Sequence, residues 1–78
     1  MPTLLRVGPC RFFCYAGDRD ELPHVHVERD DNEAKFWLIP IRLQNNQGFS
    51  RKEISRVQKL VEEHQTVLVK GWHDFFDS

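Results

Sequence analysis

His24 and His26 stand two residues apart in Leu22-Pro23-His24-Val25-His26-Val27, a short β-prone run. Alternate side chains of an extended strand point to opposite faces, so the two imidazoles would share one face and Val25 and Val27 the other. Same-face neighbours on a strand are about 6.6 Å apart along the backbone, close enough for two rings to act on one group. Histidine titrates near neutrality, which suits it to general acid or base work. With Arg42 to stabilise a phosphate, His24 and His26 become candidate catalytic residues of a metal-independent ribonuclease. Converging on one ion, they would instead supply two ligands of a metal site, with third and fourth ligands such as His64, Glu28 or Asp20 brought in by folding. The ordinary alternative is that both rings hydrogen-bond to neighbouring strands or pack against aromatic groups. No residue is assigned as a metal ligand from the sequence, and no cofactor is expected, since neither a P-loop nor a Gly-rich dinucleotide fingerprint is present.

Other reactive groups are sparse. Cys10 and Cys14 are the only cysteines; four residues apart on a strand they would be separated by about 13 Å, too far for a disulfide. Two buried free thiols are expected. The net charge is −1 but unevenly spread. Residues 18–33 hold seven acidic side chains against two arginines, whereas residues 35–59 hold six basic side chains against Glu53 alone. Such a dipolar chain suits complementary protein contacts. Arg51, Lys52, Arg56 and Lys59 begin a helix and could meet phosphates, but the overall balance is acidic and nucleic acid is the weaker partner class.

The elements that must position these groups follow from pattern. Thr3–Val7 and residues 10–16 read as two strands around Gly8-Pro9. Residues 17–23 form a polar loop, His24–Arg29 a third strand placed near a sheet edge, and residues 33–39 a fourth, ended by Pro40. Residues 40–49, with Asn45-Asn46-Gln47-Gly48, read as a loop. Ser50-Arg51-Lys52-Glu53 has the form of a capping box, and Phe49 with Ile54 the form of a hydrophobic staple. From there Ile54, Val57, Val61, His64, Leu68, Trp72 and Phe75 recur at helical spacing. His64 falls on that apolar stripe, where it can meet the strand histidines.

The expectation is a single domain over residues 1–78 of α+β class: a three- or four-stranded antiparallel sheet of consecutive hairpins, packed against a long C-terminal helix over residues 50–76. An unbroken helix of that length would run about 39 Å, beyond the reach of six-residue strands. It must bend or break near residues 64–69, or a second copy of the chain must cover its end, and self-association is expected. No apolar run approaches the roughly 20 residues of a membrane span, and the N-terminus lacks a secretory signal. A soluble cytoplasmic protein with no membrane contact is expected.

Gly8 in the first turn, Phe12-Phe13-Cys14-Tyr15, Pro23-His24-Val25-His26-Val27, Ala34-Lys35-Phe36, and Glu63-His64 followed by Trp72 together resemble the small prokaryotic proteins of domain-of-unknown-function family 4160. The resemblance spans almost the whole chain and is most specific in Pro-His-x-His-Val. Leu22 stands where many relatives carry a second proline, and the Asn-rich loop before Ser50 is longer. Because the family is named for lacking an assigned activity, no catalytic residue is carried over. The resemblance implies a cytoplasmic interaction module, one component of a toxin–antitoxin-like pair whose protein partner is encoded nearby. His64, Arg42 and Trp72 are the candidate binding residues; a ribonuclease toxin using His24 and His26 is the alternative, and a metal-binding protein a weaker one.

Overall fold

The computed structural model describes residues 3–76. Five strands form one antiparallel sheet in chain order: β1 (Thr3–Val7), β2 (Cys10–Phe13), β3 (His24–Arg29), β4 (Asn32–Leu38) and β5 (Ile41–Gln47). Two helices follow, α1 (Arg51–Glu63) and α2 (Gln65–Phe76). The class is α+β, with consecutive hairpins as expected.

Local chemistry sets the turns. Gly8 between β1 and β2 has φ 56°, a left-handed conformation that glycine adopts without a Cβ penalty. Asp30 turns β3 into β4 at φ 55°, which the short Asp side chain tolerates. Ile39-Pro40 joins β4 to β5, where Leu38 pairs with Ile41.

Two expectations are corrected. The sheet has five strands, because residues 41–47 continue past Pro40 as β5 instead of forming a loop. Their polar residues tolerate an outermost position, where most side chains of β5 are exposed. A register shift between Lys35 and Phe36 absorbs one extra residue of β5. In consequence β3 is the central strand and not an edge. The helical region is two helices, broken at His64 within the window expected for a bend or break. His64 ends α1 with φ −109° and ψ 17°, its Nδ1 turned back to the Leu60 carbonyl at 2.9 Å. Gln65 then anchors α2 by donating to the Leu38 carbonyl at 2.7 Å. The Leu60 carbonyl also accepts the His64 backbone N–H at 3.0 Å, so ring and backbone share it at the end of α1. The overhang that would have required a second copy is thereby removed.

The start of α1 is as read. Ser50 Oγ accepts from Glu53 N at 3.1 Å, and Glu53 Oε1 accepts from Ser50 N at 3.2 Å. Phe49 is buried, and Ile54 packs against the same cluster. One face of the sheet meets the helices through Phe12, Val25, Val27, Ala34, Phe36 and Leu38, joined by Val57, Val61 and Leu68. A Cβ on Gly71 would meet Leu4 Cδ2 at 3.2 Å, so glycine there lets α2 lie close to β1. Among the described residues no helix is long and apolar enough to cross a membrane.

Candidate functional site

The alternation in β2, β3 and β4 that sends Phe12, Val27 and Ala34 to the helices sends Phe13, His26 and Lys35 to the opposite face. That face is also covered. After β2 the chain makes a short 3-10 turn, Ala16–Asp20, which returns across it. Asp18 is the hinge of the turn: its backbone N–H donates to the Tyr15 carbonyl at 3.0 Å, and its Oδ2 accepts from Tyr15 N at 2.8 Å. These two bonds close a local ring and hold the carboxylate inward.

The carboxylate points between the two histidines. Oδ2 of Asp18 is 3.0 Å from His24 Nε2 and 3.1 Å from His26 Nε2. All three side chains are buried, His24 completely. Ligand-competent atoms of Asp18, His24 and His26 lie within 4.8 Å of one another. Outside this cluster, His24 Nδ1 is 2.8 Å from the Leu22 carbonyl, and His26 Nδ1 is 3.8 Å from Glu33 Oε2.

Aromatic groups wall the cluster. Tyr15 meets His26 edge-on with centroids 4.6 Å apart, and Phe13 stacks on it at 5.5 Å. Trp72 from α2 and Trp37 from β4 pack on His24 at 4.8 and 5.5 Å. Around the rim Lys35 pairs with Glu21 at 2.7 Å, and Arg11 with Glu28 at 2.9 Å.

This environment shifts two titrations. Burial alone would raise the Asp18 carboxyl, but the Tyr15 N–H and the neighbouring histidines outweigh it, and Asp18 ends below the usual carboxylate range. Burial lowers His26 below an ordinary imidazole, although Asp18 opposes the shift. The arrangement can therefore present an ionised carboxylate to two imidazole nitrogens in a water-poor space. It can share a proton or hold a cation.

The predicted site residues divide. His24 and His26 come together, and Trp72 joins them as a wall. Arg42 is exposed, opposite Trp37 in the β4–β5 register and not against either histidine. His64 is turned to its own helix and is outside the cluster, so the anticipated meeting of His64 with the strand histidines does not occur. Asp20 is exposed, and Glu28 is taken by Arg11. The residue missed from sequence is Asp18. Its signal, a carboxylate three residues after Tyr15 that can accept the Tyr15 N–H, is shared by many polar turns, and nothing in the spacing to His24 says which loop acid turns inward.

A small α+β domain with a five-stranded antiparallel sheet, two helices on one face and an Asp–His–His cluster under a loop on the other is the class defined by these features. The chain belongs to the family described as Domain of unknown function (DUF4160), which matches residues 10–73 and so includes every residue of the cluster. No curated protein and no solved structure matches the chain.

Proposed function

We propose that this protein is a cytoplasmic protein-binding module, one component of a toxin–antitoxin-like pair whose partner is encoded nearby. The observation that carries the reading is an apolar depression at the end of the sheet, lined by Leu22, Pro23, Trp37, Ile39 and Pro40 with Arg42 beside them. Leu22 is 72% exposed and Ile39 59% exposed. Large apolar side chains grouped at a concave surface favour a partner. The depression adjoins β5, which among the described residues is an edge strand paired with β4. That edge is seven residues long, has no proline and carries one charged residue, Arg42. Monomeric sheets usually guard such an edge, and peptide-binding domains use it to add a strand.

Burial of His24 favours this reading over the ribonuclease one, since an acid–base pair must touch the phosphodiester it cleaves. A docking surface needs no access to the rings. The test is co-expression with the product of the adjacent gene. Co-elution in fixed stoichiometry is expected, lost on the double substitution Leu22→Arg, Ile39→Asp with the circular dichroism spectrum retained. Separate elution of the two wild-type proteins, or a complex indifferent to the double substitution, would contradict the proposal. A homodimer that dissociates on the same substitution would assign the surface to a second copy instead.

A further inference from the structure

We propose that Asp18, His24 and His26 form a binding site for one divalent transition-metal ion, of the class that takes imidazole and carboxylate ligands, with zinc as its simplest representative. The ligand atoms are Asp18 Oδ2, His24 Nε2 and His26 Nε2.

Hydrogen-bond accounting points to a missing positive charge. The Leu22 carbonyl can only accept, so His24 Nδ1 carries the hydrogen in that 2.8 Å contact. In the neutral ring Nε2 then bears a lone pair, and it faces a carboxylate oxygen at 3.0 Å. Consistent with two acceptors meeting, His24 Nε2 is completely buried and makes no hydrogen bond. His26 repeats the difficulty. If its Nε2–H donates to Asp18 at 3.1 Å, the buried Nδ1 is left without a donor or partner, facing Glu33 Oε2 at 3.8 Å. If Nδ1 carries the hydrogen instead, a second lone pair confronts Asp18. Buried polar atoms without partners are uncommon and call for an explanation.

A cation among the three atoms turns both Asp18 contacts from opposed acceptors into shared ligation. Both rings then keep hydrogen on Nδ1 and turn Nε2 to the ion; His24 donates to the Leu22 carbonyl at 2.8 Å, and His26 Nδ1 faces Glu33 Oε2 at 3.8 Å, beyond hydrogen-bond length. His24 thus shows the pattern of metal-bound histidines, the far nitrogen donating to a carbonyl or carboxylate that fixes tautomer and ring orientation. Distances are close. Ligands held tetrahedrally at about 2.0–2.2 Å from zinc lie about 3.3–3.6 Å from one another; the Asp18–His24 and Asp18–His26 separations of 3.0 and 3.1 Å are a few tenths of an ångström shorter, and all three side chains offer ligand atoms within 4.8 Å of one another. Asp18 Oδ2 keeps the Tyr15 N–H at 2.8 Å as its own orienting bond. Two imidazoles exclude calcium and magnesium, which prefer oxygen ligands. Three protein ligands leave a fourth position for a water molecule or for a group brought by a partner.

The test uses the full chain without a histidine tag, stripped with EDTA and titrated with zinc chloride by calorimetry and with cobalt chloride by visible absorption. One zinc per chain is expected, together with cobalt bands of low coordination number. Asp18→Asn keeps the size of the side chain and an oxygen acceptor for Tyr15 N, and should weaken zinc binding at least about a hundredfold, the upper range for loss of an orienting partner. His24→Ala should do the same, while His73→Asn should leave binding unchanged. Circular dichroism of each variant separates loss of metal from loss of fold. If His24→Ala unfolds, the Asp18→Asn result and a zinc-dependent rise in wild-type melting temperature decide. Absence of stoichiometric zinc on the folded wild type would overturn the proposal, as would binding that survives Asp18→Asn.

Discussion

The two faces of the sheet are built by the same strands and are both buried, yet by opposite means. Toward the helices, Phe12, Val25, Val27, Phe36 and Leu38 are removed from water by apolar contact alone, a term that grows with area and tolerates changes of partner. Toward the loop, the burial includes His24, His26 and Asp18, each of which loses hydration and regains it only through specific partners. The first face holds the larger apolar cluster. The second holds polar groups in fixed positions, which is where binding or chemistry would reside.

Substitutions on the two faces should differ accordingly. The largest loss is expected for Phe36→Ala, a completely buried ring on the helix side, at about 3–5 kcal/mol in chemical denaturation. A value near zero would mean that the helices do not depend on this face.

Cys14 sharpens the contrast at the margin between them. Burial, reinforced by the Asp18 carboxylate, raises its thiol from 9.0 to about 11. At pH 8 the folded protein should therefore hold about a hundredfold less thiolate at this site than the unfolded chain, and because Cys14 is also completely buried, alkylation by iodoacetamide should slow by at least that factor. The sign for stability follows: a raised pKa stabilises the fold fully below 9.0, and that contribution disappears as pH climbs through 11. Equal alkylation rates in native buffer and in urea would show that the loop over this face is open.

On the histidine side, Asp18→Ala in metal-free protein removes the acceptor of the Tyr15 N–H and of the His26 ring, and should cost about 1–3 kcal/mol. A loss as large as that for Phe36→Ala would make the cluster a principal folding element and erase the distinction between the faces. The smallest effect belongs to the rim. Lys35→Ala breaks the 2.7 Å pair with Glu21, which is partly solvated, and should change the unfolding free energy by at most about 1 kcal/mol, less at high salt.

Much of the helix face was legible in the sequence because apolar alternation in β3 and β4 and the Ser50–Glu53 capping box are local signals. The common face of His24 and His26 was legible for the same reason. What was not legible depended on the path of the chain in space. Pro40 read as a stop, whereas two residues sufficed to turn the chain into β5. His64 continued the helical stripe by period, but its ring bonds to Leu60 and the helix breaks there. Asp18 was lost among Asp18, Asp20, Glu21 and Glu28, since which acid enters a buried cluster is decided by the geometry of the Tyr15–Asp18 turn and not by composition.

The most direct measurement of the central claim, that the histidine face is a centre for binding a cation, is zinc-edge X-ray absorption on the reconstituted chain at one metal per protein. The account predicts two imidazole rings and a carboxylate oxygen in the first shell at about 2.0–2.2 Å, with the imidazole scattering reduced to one ring, or the site-bound zinc lost, in His24→Ala. A first shell containing sulfur, or imidazole scattering unchanged in His24→Ala, would contradict it.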